Sequence, residues 1–232
     1  MSTGLTVVIP AFNEENTIES VIREVLNQEI TKQLIVIDDC STDTTWEIVL
    51  RLQNELTFYA ERHSVNQGKG ACLRTASELI SESIMVIQDA DLEYSPTSYQ
   101  QLIRPILEGR ADVVYGSRFQ SGEERRILYY WHYLGNKLLT TISNMVTNLN
   151  LSDMETCYKL MKSDLFKSLD LKEKRFGVEP EITCKLAKSN ARFYEVSISY
   201  FGRTYQEGKK IHAKDGFRAI YCMFLYGILG RK

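Results

Sequence analysis

Three carboxylates follow a short apolar run in the segment IQDADLE, residues 87–93. Residues two apart on an extended chain point to the same side, so Asp89, Asp91 and Glu93 are expected to face one point beyond the end of a buried strand. Clustered carboxylates repel one another unless a cation lies between them, and Mg²⁺ or Mn²⁺ prefers such oxygen ligands. The segment therefore indicates a divalent metal site. A solvated acidic turn is the alternative, because short D-x-D patterns often arise by chance.

Polar clusters follow three other predicted strands: PAFNEE begins at Pro10, DDCSTD begins at Asp38, and GSR ends at Arg118. In an open α/β sheet, ligands bind at the carboxyl ends of the strands. Each cluster alone has a simpler explanation, such as a helix cap at Asn13 or Asp43 or a surface charge at Arg118. Four polar strand ends at one edge of a sheet together predict a ligand site there.

The elements that would position these residues alternate between short apolar runs and helical patterns, which is typical of an α/β layer fold. In the first half, strands are predicted at residues 5–9, 34–37, 58–61, 84–87 and 112–115. Helices are predicted after Asn13, at 45–56, at 71–80 and after Ser95, where serine is a good N-cap and Pro96 suits the first helical position.

The second half of the chain has a different pattern. Residues 127–151 are rich in Leu, Tyr, Ile and Met and carry few charges, which predicts one or two helices. Shorter elements follow: a strand at 157–161, a helix after Glu179 and Pro180, a strand at 193–199 and a helix at 213–229. There is no internal repeat or linker, so a single domain over residues 1–232 is predicted.

The composition is that of a soluble protein with a substantial core, because 44% of the 232 residues are hydrophobic and 25% are charged. Disorder and coiled coil are excluded, and a formal net charge of −2 argues against dedicated nucleic-acid binding. Five cysteines without C-x-x-C spacing, and an N-terminus without a secretory signal, predict reduced thiols in the cytoplasm. The apolar runs are too short or too interrupted to cross a bilayer.

Five motifs occur in one order along the chain: VVIPAFNEE, VIDDCSTD, NQGKG, DADLE and GSR. Their order and intervals resemble those of the family-2 glycosyltransferases, which have the GT-A nucleotide-sugar-binding fold. The later segments DMETCYK, RFGVEPEIT and YFGRTYQEGKKI are similar to the branch that contains the dolichyl-phosphate mannose and glucose synthases and their bacterial polyprenyl-phosphate counterparts.

The resemblance covers nearly the whole chain. It implies an α/β fold with a mixed, mostly parallel central sheet flanked by helices, and with amphipathic helices near the C-terminus. Residues 1–118 would form the nucleotide-sugar and metal half, and residues 119–232 the acceptor half with interfacial helices. The implied partners are a nucleotide-sugar donor, a polyprenyl phosphate and a membrane surface, with no nucleic acid.

The resemblance also implies roles for individual residues on the donor side. Segments that hold the nucleoside in the family match two places in this chain, namely Pro10, Phe12 and Glu14 in the first and Ile37 and Asp39 in the second. Asp38 is the alternative within the second pair, since a carboxylate at either position suits the hydrogen-bond donors of a base and a ribose.

The metal and phosphate sites of the family can be matched in the same way. Asp89, Ala90 and Asp91 match the donor and metal site, for which Mg²⁺ or Mn²⁺ is the expected cofactor, and Glu93 stands where the mannose enzymes often carry Gln. The cations that face donor or acceptor phosphates match Arg118, Arg203 and Lys209. Asp91, Arg118 and Arg203 are the residues expected to act directly in catalysis.

The implied reaction is an inverting displacement at the anomeric carbon, which moves a hexose from UDP-glucose or GDP-mannose to a polyprenyl phosphate. A hydroxyl acceptor needs a general base. A phosphate monoester does not, because its second pKa is about 6 and its oxygen is already anionic at neutral pH. Asp153 and Glu155 lie in DMET, where hydroxyl-acceptor relatives place a base. Here they are expected to contact donor or acceptor rather than to abstract a proton.

A polyprenyl phosphate lies in a membrane, so the apolar helices at 128–151 and 217–229 are expected at the interface of the cytoplasmic membrane face. Packing of these helices on the sheet, in an oligomer or against a membrane-anchoring partner is the alternative. Two other functions stay open. One is a GT-A transferase that acts on a soluble or protein-linked hydroxyl, and the other is a non-catalytic nucleotide-sugar-binding subunit.

Overall fold

The computed structural model describes residues 4–122, 124, 126–127, 129–204 and 213–230. The strands in these residues are β1 (Leu5–Ala11), β2 (Thr31–Asp38), β3 (Tyr59–Arg62), β4 (Ile84–Ile87), β5 (Val113–Ser117), β6 (Lys159–Lys162) and β7 (Phe193–Ser197). They form one sheet in the order β3-β2-β1-β4-β6-β5-β7. β6 is antiparallel to both of its neighbours and the other pairs are parallel, so the predicted mixed, mostly parallel sheet is confirmed.

Helices flank this sheet. They are α1 (Ile18–Leu26), α2 (Thr45–Gln53), α3 (Lys69–Ser77), α4 (Tyr99–Leu107), α5 (Tyr130–Thr147), α6 (Ser163–Ser168), α7 (Val178–Lys188) and α8 (Ala213–Cys222), and a π-helix (Met223–Ile228) continues α8. The periodic apolar positions of α1, at Ile18, Val21, Ile22 and Val25, are all buried. All four residues of β4 are buried as well, as expected for a strand that is covered on both faces.

The start of α1 differs from the prediction. The helix begins at Ile18 rather than directly after Asn13, because the intervening residues bind a neighbouring loop instead. Asn13 has a positive φ of 53°, and its Oδ1 accepts from Thr42 N at 2.8 Å. Glu15 Oε2 accepts from Thr44 N and Thr44 Oγ1. The polar residues of PAFNEE therefore join the loops after β1 and β2.

Two other helices differ from the sequence prediction, and both differences are confined to a few residues. Ser95 Oγ accepts from Thr97 N as a cap should, but the turn that it caps is a 3₁₀ helix, Pro96–Ser98, and α4 follows it. The six-residue helix α6 was not predicted, because so short a helix has too few turns to show a period.

The second half is dominated by α5, which is one continuous helix. It packs against α7, α8 and the π-helix, yet only Thr140 and Ser143 of its 18 residues are buried. None of the helices among the described residues has the length and apolar character needed to span a bilayer.

Candidate active site

All strands except β6 end at one edge of the sheet. β1 runs parallel to β2 and β4, with Ala11 opposite Asp38 and Val8 opposite Ile87. β5 points the same way as β4 because β6 is antiparallel to both, and β7 is parallel to β5. The four polar clusters found in the sequence therefore share one edge of the sheet. We call it the donor edge, after the sugar donor that the motif resemblance implies.

Direct hydrogen bonds join the clusters at the donor edge. Asn13 N donates to Ser41 Oγ at 3.0 Å, which connects the loops after β1 and β2. Thr17 Oγ1 donates to Ala90 O at 2.7 Å, which connects α1 to the DADLE segment after β4. Sequence reasoning did not identify Thr17, because threonine ahead of a helix is an ordinary residue with no chemical signature.

The three carboxylates of DADLE come together at the donor edge, but not along an extended strand. Leu92 has a φ of 58°, so the chain turns between Asp91 and Glu93 and the alternation expected for an extended strand is broken. Asp89 Oδ1 accepts from Lys69 Nζ at 2.8 Å, and Glu93 Oε2 accepts from Tyr200 OH at 2.7 Å. Asp91 and Glu93 share Arg203. The extended geometry expected for this segment is therefore wrong, although all three acids lie at the donor edge.

Arg203 is the cation at the centre of these carboxylates. Its Nη2 lies 2.6 Å from Asp91 Oδ2, its Nη1 lies 3.2 Å from Glu14 Oε2, and its backbone N donates to Glu93 Oε1 at 2.8 Å. One guanidinium thus links the loops after β1 and β4 to the segment after β7. The structure places Arg203, Glu14 and Asp91 together.

The carboxylate oxygens of Asp89 and Asp91 are suitable ligands for a hard divalent cation. Burial, together with the charges of Asp89 and Glu93, raises the pKa of Asp91 to about 7, so this position is short of positive charge. Carboxylate oxygens are also the ligands that Mg²⁺ and Mn²⁺ prefer. Glu93 is turned toward Tyr200 and Arg203, and in the described residues its carboxylate does not form a close trio with Asp89 and Asp91.

Within the described ranges, one trio has ligand atoms within 4.8 Å of one another: Asp39, His63 and Cys72. His63 Nδ1 lies 2.8 Å from Asp39 Oδ1, and His63 Nε2 lies 3.0 Å from Thr75 Oγ1. Asp39 also accepts from the backbone N–H groups of the NQGKG loop (Gln67 and Gly68). Both His nitrogens and both Asp oxygens thus have partners, so the trio is a hydrogen-bonded part of the core.

The predicted pair Asp38 and Asp39 is buried, with exposures of 0% and 3%. Asp38 Oδ2 accepts from Ser41 N at 3.0 Å and lies 3.2 Å from Arg62 Nε, whereas Asp38 Oδ1 is buried without a hydrogen-bond partner. Asp39 binds the NQGKG loop. Of the two acids, Asp38 is the one that keeps a carboxylate oxygen with no hydrogen-bond partner, although that oxygen is buried.

The other residues matched to the donor fall into two groups. Phe12 is 37% exposed and Pro10 is half-buried, so both border the open side of the donor edge. Ile37 and Ala90 are buried, with Ile37 fully enclosed within β2. Their side chains are therefore part of the core, and only the backbone of these two residues is placed to border the donor edge. Lys209 lies outside the described residues.

Arg118 is held by a buried carboxylate. Its Nε and Nη2 lie 2.7 Å from the two oxygens of Asp153, and its backbone N donates to the same side chain. Its guanidinium also lies 5.2 Å from the ring centre of Tyr200. Arg118 and Asp153 thus form a buried ion pair at the donor edge. Both oxygens of Asp153 are engaged and the residue is 0% exposed, so Asp153 is not placed to accept a proton from an acceptor.

Glu155, the second acid of DMET, has a different environment. Its Oε1 is buried without a hydrogen-bond partner. Burial raises the pKa of Glu155 to about 7, and the neighbouring carboxylate of Glu179 contributes in the same direction. Of the two acids that could serve as a base for a hydroxyl acceptor, the geometry leaves only Glu155.

Lys69 and Glu179 are site residues to which sequence reasoning assigned no role. Lys69 contacts Asp89 directly, and Glu179 contacts Lys69 at 2.8 Å. Lys69 lies in NQGKG, where a lone lysine between glycines was a signal that could have been followed. Glu179 lies in the segment RFGVEPEIT, but nothing in that segment indicates a partner 110 residues earlier in the chain.

The fold has counterparts among solved structures. Glucosyl-3-phosphoglycerate synthase of Mycobacterium tuberculosis, crystallised with Mn²⁺, UDP and glucosyl-3-phosphoglycerate, superposes with a TM-score of 0.75. The superposition covers 97% of this chain and 80% of that chain at 20% sequence identity. Another crystal structure of the same synthase contains Mg²⁺ and UDP. At this identity the likeness shows the fold alone, which is GT-A.

The profile described as "Glycosyl transferase family 2" matches residues 6–170. The chain belongs to this glycosyltransferase family, as its motifs indicated. A UDP-N-acetylglucosamine–dolichyl-phosphate N-acetylglucosaminyltransferase of Methanococcus voltae is 25% identical over 237 residues, which cover 94% of each chain. A dolichol-phosphate mannosyltransferase of Pyrococcus furiosus is 29% identical over 120 residues, which cover 51% of this chain and 34% of that protein.

Proposed function

We propose that this protein transfers a hexose from UDP-glucose or GDP-mannose to a polyprenyl phosphate, with inversion at the anomeric carbon. The observation that carries the proposal is the donor edge, where Arg203 joins Glu14, Asp91 and Glu93 beside the Lys69–Asp89 pair. Relatives that are named as dolichyl-phosphate transferases support a lipid phosphate as the acceptor. Residues 1–118 would bind the donor, and residues 119–232 the acceptor.

On the donor side, exposed Phe12 would contact the base, and the unsatisfied oxygen of Asp38 would accept a hydrogen bond from the nucleoside. Asp89 and Asp91 would hold Mg²⁺ or Mn²⁺. When bound, the divalent ion offsets negative charge on the departing nucleoside diphosphate. Arg203 would then exchange its carboxylate partners for phosphate oxygens, since a guanidinium fork matches either group.

On the acceptor side, the arrangement suits a group that arrives already ionised. Asp153 is occupied by Arg118, and Glu155 has a raised pKa at a buried position. A phosphate monoester supplies its own anionic oxygen and needs neither carboxylate as a base. Arg118 and Lys209 remain the proposed cations on this side.

Two exposed apolar stripes would bring the acceptor half to a membrane. On α5 the stripe consists of Trp131, Leu134, Leu138 and Met145. On α8 and the π-helix it consists of Phe217, Tyr221, Phe224 and Ile228. Both sets recur at helical spacing, and α5 packs beside α8, so the stripes belong to neighbouring helices. Amphipathic helices of this kind lie in the interface plane of a bilayer.

Replacing Trp131 and Phe217 together by glutamate is expected to reduce binding to anionic vesicles that contain polyprenyl phosphate. Both side chains are more than three-quarters exposed, so the change should leave the fold intact. Co-sedimentation with vesicles measures the effect, and Val65→Glu, an exposed apolar residue of the donor half, is the matched control. Unchanged sedimentation of the double variant would contradict the membrane assignment.

Arg203→Ala is expected to lower transfer about tenfold or more, because a charge-assisted hydrogen bond to phosphate contributes about 1.5 to 3 kcal/mol. The free energy of unfolding should fall as well, because Arg203 and the three acids that it contacts are only 12% to 19% exposed and the acids lose their shared cation. Steady-state kinetics and urea unfolding measure the two quantities. Arg192→Ala, which removes an exposed arginine paired with Asp112, is the control. A variant that unfolds early but transfers normally would show that Arg203 is structural.

Product analysis tests the function directly. The protein is incubated with Mg²⁺ or Mn²⁺, with each of UDP-glucose, GDP-mannose and UDP-N-acetylglucosamine, and with polyprenyl phosphate or a free sugar. Glycosylated lipid phosphate is the expected product. Its rate should fall as the pH drops below about 6, because protonation of the phosphate removes the nucleophile. Transfer to the sugar hydroxyl alone would contradict the proposal.

Glu155→Gln separates the two acceptor chemistries. With polyprenyl phosphate and saturating donor, the variant is expected to keep its rate constant, because no proton has to be abstracted. Donor affinity is measured in parallel, since a lost donor contact would also slow turnover. A rate constant that falls by several orders of magnitude while donor affinity is unchanged would identify Glu155 as a base and favour a hydroxyl acceptor.

A further inference from the structure

Four side chains form a line of alternating charge that runs from the donor edge into the core. Lys69 Nζ lies 2.8 Å from Asp89 Oδ1 and 2.8 Å from Glu179 Oε1. Glu179 Oε2 accepts from Lys159 Nζ. Side-chain exposure falls from 29% at Asp89 to 20% at Lys69, 7% at Glu179 and 0% at Lys159. The two negative and two positive charges balance. The most exposed group of the line is Asp89, a carboxylate of DADLE.

The backbone beneath Lys69 is fixed by close packing against the segment before α7. Gly70 N donates to Lys174 O at 2.9 Å, and a Cβ on Gly70 would lie 2.1 Å from Glu173 O. Gly68 has a φ of 95°, and a Cβ there would lie 2.3 Å from Lys174 O. Glycine on both sides of Lys69 therefore allows the two backbones to touch, and this contact sets where the Lys69 side chain begins.

The inner end of the line is equally constrained. Glu179 lies in the first turn of α7, where the helix dipole favours a negative charge. Lys159 lies at the start of β6, fully buried, with its Nζ 5.0 Å from the ring centre of Tyr115. A lysine at this depth requires a carboxylate partner. Glu179 is therefore held in place from the core side, and its other oxygen forms a 2.8 Å ion pair with Lys69 that is not aligned as a hydrogen bond.

We propose that Glu179 is a positioning residue for the donor site, which holds Lys69 against Asp89 and so fixes the direction of the Asp89 carboxylate. This inference rests on the proposed function, because the direction of Asp89 matters only if the donor edge binds a nucleotide. Groups that orient a ligand-binding residue from behind typically change affinity or activity by about 10-fold to 100-fold when they are replaced.

Glu179→Gln, which keeps the shape of the side chain and removes its charge, is expected to weaken binding of UDP or GDP with Mn²⁺ about tenfold or more. Lys69→Met should weaken it similarly, because it removes the group that Glu179 positions. The double variant should bind no more weakly than the weaker-binding single variant, since residues that act through one another are not additive. Calorimetric titration gives the dissociation constants without turnover.

Leu186→Ala is the matched control for a general loss of stability. Leu186 is a fully buried apolar residue two turns further along α7, and its replacement leaves a cavity without removing a charge or a side-chain hydrogen bond. Its replacement should lower the melting temperature and leave nucleotide binding unchanged. If Glu179→Gln does not fold, Glu179→Gln combined with Lys159→Met removes the unpaired buried lysine and still tests the contact with Lys69.

The outcomes separate the inference from the proposed function. Unchanged nucleotide affinity in Glu179→Gln, or a double variant in which the effects of Lys69→Met and Glu179→Gln add fully, would overturn the positioning role. An equal loss of affinity in Leu186→Ala would also overturn it, because stability alone would then explain the effect. A wild-type protein that binds neither UDP nor GDP with Mn²⁺ would instead contradict the proposed function.

Discussion

Asp91→Asn is expected to lower sugar transfer about a hundredfold to a thousandfold or more, the scale on which enzymes lose rate when one charge-stabilising group is removed. The substitution keeps the shape of Asp91 and removes the carboxylate that Asp89 and Glu93 surround. An amide cannot balance a divalent cation in the same way, so the affinity for a nucleoside diphosphate with Mn²⁺ should fall together with the rate. Steady-state kinetics and calorimetric titration measure the two effects.

The control for Asp91→Asn is Asp164→Asn, which removes an exposed acid in the first turn of α6. Transfer by this variant should equal that of the wild type. Removal of divalent ions with excess chelator should also stop transfer by the wild type, and added Mn²⁺ should restore it. Full activity in chelator, or in Asp91→Asn, would show that the donor edge works without a metal.

Asp153→Ala is expected to lower the free energy of unfolding by about 3 to 5 kcal/mol, because it breaks a buried ion pair in which both oxygens of the acid accept from one guanidinium. Arg118 donates to both oxygens of Asp153, and neither side chain is substantially exposed. Urea unfolding measures the loss. The denaturant dependence of the free energy should stay the same if the fold is otherwise unchanged.

Removing both charges tests the cause of that loss. Arg118→Met combined with Asp153→Ala should be less destabilised than Asp153→Ala alone, because it also removes the buried positive charge that Asp153 balances. A loss below about 1 kcal/mol in Asp153→Ala would show that Arg118 finds water or another partner, and that the pair contributes as little as a surface ion pair.

The strands and their common edge could be predicted because they depend on local patterns. β4 is a run of four apolar residues followed by acids, and its bounds agree with the prediction at residues 84–87. The common location of the polar clusters then follows from the rule that ligands bind at the carboxyl ends of strands. Each of these inferences needs only a few neighbouring residues.

The partners of the charged side chains could not be predicted in the same way. Arg203 meets Glu14 across 189 residues, and Lys69 meets Asp89 across 20. The turn at Leu92 gave no signal either, since leucine rarely adopts a positive φ. A pattern of residue types fixes which element a charge is on, but which opposite charge it meets depends on how the elements pack.

The position of Arg203 late in the chain has a consequence for synthesis. Glu14, Asp91 and Glu93 leave the ribosome before Arg203, and β1, β2 and β4 can pair before the cation that joins these acids is made. Until then the carboxylates repel one another, and the nascent first half lacks the contact that links its loops. The donor edge is thus completed by a residue that is translated 110 positions after Glu93, so a chain that stops before residue 203 keeps the acids without their cation.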